Sequence, residues 1–275
     1  MTAKEIRTGR IELSIVGAGN MAEALLRGAL SAGVLDREGV LVSDPQRQRR
    51  ELFVRELGVR ALDDNRAVAD APRLLLAVKP QTIATVLEEM SPLIWADALI
   101  VTIVAGIRTS FLASRLDGRG RIVRVMPNTP MLVGAGTSAI CPGPGATDAD
   151  LDWVEKLFAA CGRTVRVEEE MMDAVTAVSG SGPAYFFYLV ETMVAAGVAE
   201  GLSEAVAMQL AVETCRGAGE LLARSRQRPE ALRAKVTSPG GTTQAAIESM
   251  ESAGVRAALV AAIRRAAERS RELGK

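Results

Sequence analysis

The sequence predicts an α/β protein of two domains, in which a doubly wound sheet domain is followed by an all-helical domain. Up to about residue 167 of the 275-residue chain, short apolar runs alternate with helical patterns, which is typical of a parallel sheet covered on both faces. From residue 168 onwards, long amphipathic helical patterns replace the strand patterns. We therefore expect an α/β domain over residues 1–167 and a helical domain over residues 168–275.

Composition excludes several classes of function. The chain has 33 Lys and Arg residues and 33 Asp and Glu residues, so its balanced charge gives no reason to expect a nucleic-acid partner. It has no histidine, which removes Ser-His triads and histidine-ligated metals, and no other pattern predicts a metal site. The three cysteines, Cys141, Cys161 and Cys215, are far apart, as expected of reduced thiols in a cytoplasmic protein.

Neither export nor membrane insertion is expected from the apolar runs. The longest of them, residues 98–107, is shorter than the roughly 20 residues that a membrane helix needs. The first apolar run leads directly into a glycine loop, which indicates a first strand and not a signal peptide.

The first strand pattern, residues 11–16, runs into Gly17-Ala18-Gly19-Asn20-Met21-Ala22 and then into a helical pattern. The sequence G-x-G-x-x-A between a strand and a helix is the dinucleotide-binding fingerprint of a Rossmann domain. Gly17 would allow the tight turn, Gly19 would let the pyrophosphate approach the backbone, and Ala22 would permit close packing of the helix. The alternative is a glycine turn that binds nothing, but the flanking elements favour a cofactor.

The second strand pattern, residues 40–43, ends at Asp44. An acidic side chain at that position would accept hydrogen bonds from ribose hydroxyls and disfavour a 2′-phosphate. However, Arg47, Arg49 and Arg50 follow closely and could hold that phosphate, although for each one alone a solvated helix face is the better interpretation. The residues thus leave the choice between NADH and NADPH open.

The rest of the α/β domain follows the same pattern. Further strands are predicted at residues 59–62, 74–78, 99–103, 122–126 and 137–140, and helices at residues 46–57 and directly after residue 65. Polar or small residues follow the carboxyl ends of these strands, including Lys79, Gly106 and Asn128. Ligands of open α/β sheets bind at that edge, although Lys79 alone could be a surface lysine.

The second half contains two loops rich in small and hydroxyl residues, at residues 179–185 and 236–245, and each runs into a helix. The N–H groups at a helix N-terminus favour an anion, so the two loops suggest a pocket for a small carboxylate. The helices predicted here cover residues 171–178, 183–200, 204–224, 229–235, 242–252 and 255–273. Their apolar surface could pack within one chain or form a two-fold interface, and we favour the interface.

In these stretches, and over nearly its whole length, the chain resembles pyrroline-5-carboxylate reductase, the last enzyme of proline biosynthesis. The general motifs are the glycine loop, Ala77-Val78-Lys79-Pro80, Ala105-Gly106 and Met126-Pro127-Asn128-Thr129-Pro130. The more specific motifs are Ser179-Gly180-Ser181-Gly182-Pro183-Ala184-Tyr185 and Ser238-Pro239-Gly240-Gly241-Thr242-Thr243. The resemblance implies a Rossmann domain followed by a helical dimerisation domain, with homodimers that often assemble into a decamer.

The resemblance also implies the site residues. The NAD(P)H-binding residues would be Gly17, Ala18, Gly19, Asn20, Met21, Asp44, Asn65, Ala77, Val78, Lys79, Pro80, Val104, Ala105 and Gly106. The substrate-binding residues would be Asn128, Ser181, Gly240, Gly241, Thr242 and Thr243, with the loop at 240–243 contributed by the partner subunit. Two positions depart from the pattern: Asp44 stands where serine or threonine can occur, and Lys235 stands where some members carry asparagine.

The implied reaction is NAD(P)H-dependent reduction of (S)-1-pyrroline-5-carboxylate to L-proline by hydride transfer to the ring imine. A protonated imine needs little acid–base assistance, which agrees with a chain that has no histidine. Thr243 would be the catalytic residue: its hydroxyl would hydrogen-bond the ring nitrogen and could relay a proton, or else serve only as an N-terminal helix residue that bonds the backbone. Ser181 would shape the pocket or cap its helix, and Asn128 would line the cleft or satisfy its own backbone.

Two other functions compete with this interpretation. A β-hydroxyacid dehydrogenase would need a general base, usually a lysine on the long helix of the second domain, and residues 183–200 contain none. A nucleotide-binding redox sensor or scaffold would keep the glycine fingerprint, but it would not need a carboxylate-binding loop such as residues 240–243.

Overall fold

The computed structural model describes residues 11–274. Its first compact unit is built on one eight-stranded sheet, with strand order β3-β2-β1-β4-β5-β6-β7-β8. The strands are β1 (Leu13–Val16), β2 (Val40–Ser43), β3 (Arg60–Leu62), β4 (Arg73–Leu76), β5 (Leu99–Thr102), β6 (Arg121–Met126), β7 (Gly136–Pro142) and β8 (Gly162–Arg166). The chain leaves β1 in one direction towards β3 and returns on its other side at β4, so the topological switch point lies between β1 and β4.

The sheet is parallel except for one pair. β7 runs antiparallel to β6, with Val125 opposite Ile140, and β8 is parallel to β7. The predicted strand at 137–140 is therefore longer in the structure, because β7 has a hydrogen-bonded neighbour on each side.

Six α-helices accompany this sheet: α1 (Asn20–Ser31), α2 (Arg47–Leu52), α3 (Ile83–Met90), α4 (Thr109–Arg115), α5 (Asp148–Ala159) and α6 (Met172–Val175). The helix predicted over 46–57 is present, but its last five residues widen into a π-turn that ends at Gly58 with φ +69°. The helix predicted directly after residue 65 is wrong, because the chain forms only a 3-10 turn, Arg66–Val68. Only a few residues separate this turn from Pro72 and β4, which leaves no room for a full helix.

The core of the first unit has two apolar layers, one on each face of the sheet. Leu75 belongs to the layer under α1 and α5, whereas its neighbours Leu74 and Leu76 belong to the layer under α3 and α4. This alternation follows from the two-residue period of a strand, and burial on both faces explains why β4 is apolar throughout. The two layers hold the carboxyl ends of the strands in fixed positions.

The second compact unit, Ser181–Arg265, is entirely helical in the described residues. It contains α7 (Gly182–Ala199), α8 (Glu204–Ser225), α9 (Pro229–Lys235), α10 (Thr242–Ser252) and the greater part of α11 (Val255–Leu273). The last turns of α11, from Ala266, belong to the first unit, where the Ser270 hydroxyl donates to Asp173 Oδ1 at 2.5 Å.

The predicted domain boundary at 167/168 differs from this division into compact units. Residues 168–180 belong by their contacts to the first unit, where Met172 is buried against Ala139 and Cys141 of β7. The boundary drawn from the sequence marks instead where strand patterns end. Where the functional domains divide stays a prediction.

The helical unit leaves most of its large apolar side chains uncovered. α7 and α8 bury a small contact around Val194, Ala207 and Ala211. Phe186, Phe187, Tyr188 and Leu189, by contrast, are each at least half exposed. An apolar surface of this extent indicates an interaction site.

By length and composition alone, the helical stretch Glu169–Ala199 could also cross a membrane. The core helix of a protein that never meets a lipid passes the same test, so this is weak support for a membrane. That the chain has no membrane partner stays a prediction.

Candidate functional site

The glycine loop has the shape that a pyrophosphate requires. Gly17 has φ +98°, and a Cβ atom at this position would lie 2.7 Å from the carbonyl oxygen of Ala77. Gly19 directly precedes α1, and a Cβ atom there would meet no heavy atom within 4 Å. No side chain caps this helix, so its first N–H groups have no capping acceptor. A close turn next to an uncapped helix N-terminus fits an anionic group of a dinucleotide.

This loop forms one wall of a cleft of about 550 Å³ at the carboxyl edge of the sheet, beside the switch point between β1 and β4. The cleft is lined by Gly17, Gly19, Asn20, Ser43, Asp44, Pro45, Gln46, Arg49, Asn65, Ala77, Val78, Lys79, Thr82 and Val86. Most of the residues predicted for the cofactor are thus brought together after the ends of four adjacent strands, β3, β2, β1 and β4. Their role in binding the cofactor stays a prediction.

The other predicted cofactor residues lie beside the cleft. Ala18 is buried in the loop, and Met21 packs against the core layer under α1. Pro80 begins a 3-10 turn that leads into α3. Val104, Ala105 and Gly106 follow β5, and a Cβ atom at Gly106 would lie 3.2 Å from that of Leu273.

Asp44 is held rigidly at the end of β2. Its Oδ2 accepts the N–H of Ala18 at 2.8 Å, and its Oδ1 accepts the N–H of Gln46 at the same distance. The side chain of Asn65 connects β2 to α3. Its oxygen accepts a hydrogen bond from the Ser43 hydroxyl at 2.8 Å, and its amide nitrogen donates to a carboxylate of α3 at 3.2 Å. The end of β2, the glycine loop after β1 and the turn at residue 65 therefore form one hydrogen-bonded wall.

Sequence reasoning missed several residues that line this cleft. Thr82 is one of them, and its hydroxyl and N–H both donate to the carbonyl of Lys79 at 3.0 Å. Ser43 is another, since it was assigned only to a strand. For Ser43 the available signal was position, because it ends β2 at the ligand-binding edge. Thr82 lies at the end of the 3-10 turn Pro80–Thr82, and no sequence signal marked it.

In the helical unit, the predicted substrate loop ends at the start of α10. Gly240 has φ +70°, and its N–H donates to the side-chain oxygen of Gln244 at 2.7 Å. The N–H of Gly241 donates to the Ser238 carbonyl at 3.0 Å. The N–H groups of Thr242 and Thr243 lie in the first helical turn, where an α-helix offers them no acceptor. An anion at this loop would therefore be bound by these two N–H groups.

Ser181 and Asn128 have different surroundings. Ser181 precedes α7, and its side chain makes no capping hydrogen bond, so its hydroxyl is not used to start the helix. The side chain of Asn128 is engaged at both ends: Oδ1 accepts the N–H of Thr137 at 2.8 Å, and Nδ2 donates to Ser179 at 3.3 Å. Asn128 therefore ties the segment before Gly180 to the sheet, and neither bond is to its own backbone. Its role in substrate binding stays a prediction.

Comparison with known proteins bears on both units. Residues 12–106 match a family model described as NADP oxidoreductase, coenzyme F420-dependent, and residues 169–273 match pyrroline-5-carboxylate reductase dimerisation. A pyrroline-5-carboxylate reductase of Methanosarcina acetivorans is 40% identical over 96% of this chain and 98% of its own. One of Pisum sativum is 38% identical over 95% of both chains.

This chain belongs to the pyrroline-5-carboxylate reductase family.

Solved structures of the family agree with the fold. The pyrroline-5-carboxylate reductase of Coxiella burnetii superimposes with a TM-score of 0.90 at 32% identity, over 97% of this chain and all of its own. The Plasmodium falciparum enzyme, which was crystallised with NADP bound, gives a TM-score of 0.87 at 30% identity over 96% of this chain and 98% of its own. The family thus has an NAD(P)-dependent oxidoreductase domain of Rossmann type, followed by a helical dimerisation domain. Homo-oligomerisation through the helical domain follows from this membership.

The first residue of the matched dimerisation segment, Glu169, is locked into the sheet domain of this reductase. It accepts the N–H of Thr109 at 2.8 Å, the hydroxyl of the same residue at 2.5 Å and a guanidinium N–H of Arg124 at 3.2 Å. Burial opposes the charge of Glu169, but these hydrogen bonds outweigh it and hold its pKa below the ordinary value. The carboxylate therefore fixes the start of α4 and the segment that leads towards α7.

The buried thiols of this reductase are not suited to catalysis. Burial, reinforced by the charge of Glu169, raises the pKa of Cys141 to about 12. Burial likewise raises the pKa of Cys161. Both residues are therefore protonated and poorly nucleophilic at neutral pH. Within residues 11–274, no group of three His, Cys, Asp or Glu side chains could hold a metal ion.

Proposed function

We propose that this chain reduces (S)-1-pyrroline-5-carboxylate to L-proline, with NADH or NADPH as the hydride donor. The observation that carries the proposal is the cleft at the switch point, with its uncapped helix N-terminus, in a chain that matches these reductases over 96% of its length. Its residues offer the two things that the reaction needs, a place for a dinucleotide and a place for a small carboxylate.

The cofactor would be held by the wall of the cleft. The first N–H groups of α1, which begin at Asn20, would bind the pyrophosphate, and the Asp44 carboxylate would accept hydrogen bonds from the adenosine ribose. Lys79 and Asn65 would complete the wall on either side of β1. A bound reduced nicotinamide supplies the hydride, and the residues of the cleft orient it and exclude water.

The substrate carboxylate would bind the N–H groups of Thr242 and Thr243 at the start of α10. The half-buried Thr243 hydroxyl would accept a hydrogen bond from the protonated ring nitrogen. The imine carbon accepts the hydride, the electron pair of the C=N bond moves to the nitrogen, and the proton already on that nitrogen remains as the N–H of proline. The protein therefore acts mainly by positioning, which contributes several kcal/mol without a strong acid or base.

We further propose that the active form is a cytoplasmic homodimer in which the 240–243 loop of one subunit serves the cofactor cleft of the other. The exposed aromatic residues of α7, Phe186, Phe187 and Tyr188, support burial of this helix in a dimer. Assembly of such dimers into a decamer is the further step that the family resemblance implies.

Loss of NADH or NADPH absorbance upon addition of pyrroline-5-carboxylate tests the reaction, with proline identified as the product. Thr243→Ala should lower kcat by about tenfold or more, because one hydrogen bond at the reacting nitrogen is lost, while cofactor binding is unchanged. Thr237→Ala is the matched control, since its hydroxyl is already donated to the Arg233 carbonyl at 2.7 Å. Equal kcat in both variants would remove Thr243 from the mechanism.

Co-expression of two impaired variants tests the shared site. Gly19→Val blocks the cofactor cleft and leaves the loop intact, whereas Thr243→Ala leaves the cleft intact. When the two are co-expressed, half of the dimers are mixed and each carries one complete site, so activity should recover to about a quarter of the wild-type value. No recovery would place the loop and the cleft of one site in the same subunit.

A further inference from the structure

The choice between NADH and NADPH depends on charges at the adenosine end of the cleft, and the structure fixes several of them. The carboxylate of Asp44 lines the cleft and is half-buried. Both of its oxygens accept backbone N–H groups at 2.8 Å, one from Ala18 in the glycine loop and one from Gln46. These two bonds prevent the side chain from turning away from the cleft. A fixed negative charge therefore stands where the adenosine ribose of a Rossmann cofactor binds.

The arginines that could neutralise a 2′-phosphate are already engaged. Arg49 donates through Nε to the Ala18 carbonyl at 2.5 Å and through its guanidinium to Glu23 at 2.8 Å. Its guanidinium also lies 5.8 Å from the ring centre of Phe53, so it is held from three sides. To reach a phosphate, Arg49 would have to leave Glu23, whose side chain is only 18% exposed.

Arg50 and Arg47 are held in the same way. Arg50 donates to the carbonyl oxygens of Asp44 and Pro45, each at 2.9 Å. Arg47 pairs with Glu51 at 2.6 Å and lines a different depression of the surface. Each of the three arginines after β2 thus has protein acceptors, and their number in the sequence overstates the positive charge available to a ligand.

The other cation that lines the cleft within the described residues lies away from Asp44. Lys79 follows β4, and β4 is separated from β2 by β1 in the sheet. Its charge is therefore on the far side of the glycine loop from the carboxylate.

We propose that this reductase selects the dinucleotide with an unmodified adenosine 2′-hydroxyl, NADH, over NADPH, and that Asp44 sets this preference. The inference rests on the proposed function and deepens it. The 2′-hydroxyl of NADH donates a hydrogen bond to the carboxylate, whereas a 2′-phosphate brings nearly two negative charges next to it and has no donor to offer. Repulsion and the lost hydrogen bond together should weaken NADPH binding by about tenfold or more relative to NADH.

Equilibrium binding without substrate tests the preference independently of turnover. Purified protein is titrated with NADH and with NADPH, and the dissociation constants are obtained from nicotinamide fluorescence. The same titrations are made with Asp44→Asn, which removes the charge and keeps the side-chain length, and with Asp44→Ser, which removes the charge and shortens the side chain. Asp64→Asn is the matched control, because Asp64 is near Asn65 in the chain but does not line the cleft, and an asparagine can still accept the N–H of Arg66.

Wild-type protein and Asp64→Asn should bind NADH at least about tenfold more tightly than NADPH. Both Asp44 variants should reduce this ratio to near one, mainly by tighter binding of NADPH. Arg49→Ala should leave the ratio unchanged, because Arg49 is committed to Glu23 and the glycine loop.

The opposite results overturn the inference. One such result is tighter binding of NADPH than of NADH by the wild type. Another is an unchanged ratio of the two dissociation constants in both Asp44 variants. A third is weaker binding of NADPH alone in Arg49→Ala. Failure to bind either nucleotide would overturn the proposed function together with this inference. Binding of both without turnover of pyrroline-5-carboxylate would contradict only the proposed reaction.

Discussion

Gly17 and Gly19 stand two residues apart in the same loop, yet replacing them by alanine should have opposite consequences. At Gly17 the new methyl group would lie 2.7 Å from the carbonyl oxygen of Ala77 and 2.9 Å from its carbonyl carbon, and the backbone has φ +98°. At Gly19 the methyl group would meet nothing within 4 Å, and the backbone is extended, with φ −72°. One substitution should therefore damage the fold, and the other should damage the ligand site.

The magnitudes follow from these two environments. A left-handed backbone costs an L-residue about 1–2 kcal/mol, and overpacking against β4 adds about 1–3 kcal/mol, so Gly17→Ala should lower the free energy of unfolding by roughly 2–5 kcal/mol. Gly19→Ala should cost less than about 1 kcal/mol, since it only replaces glycine at an extended helix-capping position. In that variant, however, the methyl group occupies the space in front of the α1 N-terminus, so NADH binding should weaken by at least about tenfold.

Urea unfolding followed by circular dichroism measures the first effect, and a fluorescence titration with NADH measures the second. The two variants serve as controls for each other. If Gly17→Ala were as stable as the wild type, the close contact with Ala77 would not exist in solution. If Gly19→Ala bound NADH normally, the pyrophosphate would not lie at this helix, and the assignment of the cleft would be wrong.

Three further predictions concern other parts of the molecule. Glu169 has a pKa below its ordinary value of 4.5, so its contribution to stability is present above that pH and is lost as the pH falls through the lowered pKa. Glu169→Gln should therefore lower the free energy of unfolding by about 1–3 kcal/mol at pH 7 and reduce its decrease at acid pH. Unfolding measured at several pH values checks both effects. Phe187→Glu should shift the protein towards monomer in sedimentation velocity. Val54→Glu, which changes a comparably exposed residue of the sheet domain, should not. The same sedimentation coefficient for both variants would exclude α7 from the interface. Asn128→Ala should cost about 1–3 kcal/mol, because the N–H of Thr137 loses its acceptor, and an unchanged unfolding midpoint would contradict that role.

The architecture could be predicted from the sequence because local patterns and burial agree. β1, β2, β4 and β5 are short, mainly apolar runs that end in or lead into a polar or small residue, and their interior positions in the sheet require that pattern. The glycine fingerprint was equally informative, since Gly17 is required by its φ and its contact with Ala77. Such features depend on neighbours in the chain or on a well-defined backbone geometry.

Features that depend on distant contacts could not be predicted. Residues 168–180 have a helical pattern, but Met172 and Glu169 attach them to the sheet through partners about 30 to 60 positions away. The role of Asn128 depends on Ser179, 51 positions later. In the 240–243 loop, the N–H of Gly240 is taken by Gln244, a side chain that the pattern of small residues does not reveal. Sequence reasoning therefore located the candidate site and overestimated how many of its groups are available to a ligand.

The arginines after β2 illustrate the same limit for electrostatics. From the sequence, Arg47, Arg49 and Arg50 balanced Asp44 and left the cofactor undecided. In the structure, each of the three donates to a carbonyl or carboxylate oxygen of the protein, whereas the Asp44 carboxylate stays in the cleft. Charge counts predict a ligand only when the partners of each charge are known.

The most direct test of the account is to follow the hydride itself. Nicotinamide cofactor that carries deuterium at C4, prepared separately with the label on each face, is incubated with the protein and pyrroline-5-carboxylate, and the proline formed is analysed by mass spectrometry and NMR. We expect one of the two labelled cofactors to give proline with a single deuterium at C5 and the other to give unlabelled proline. Oxidation of both cofactors with no deuterium in proline, or no formation of proline, would contradict direct hydride transfer to the imine.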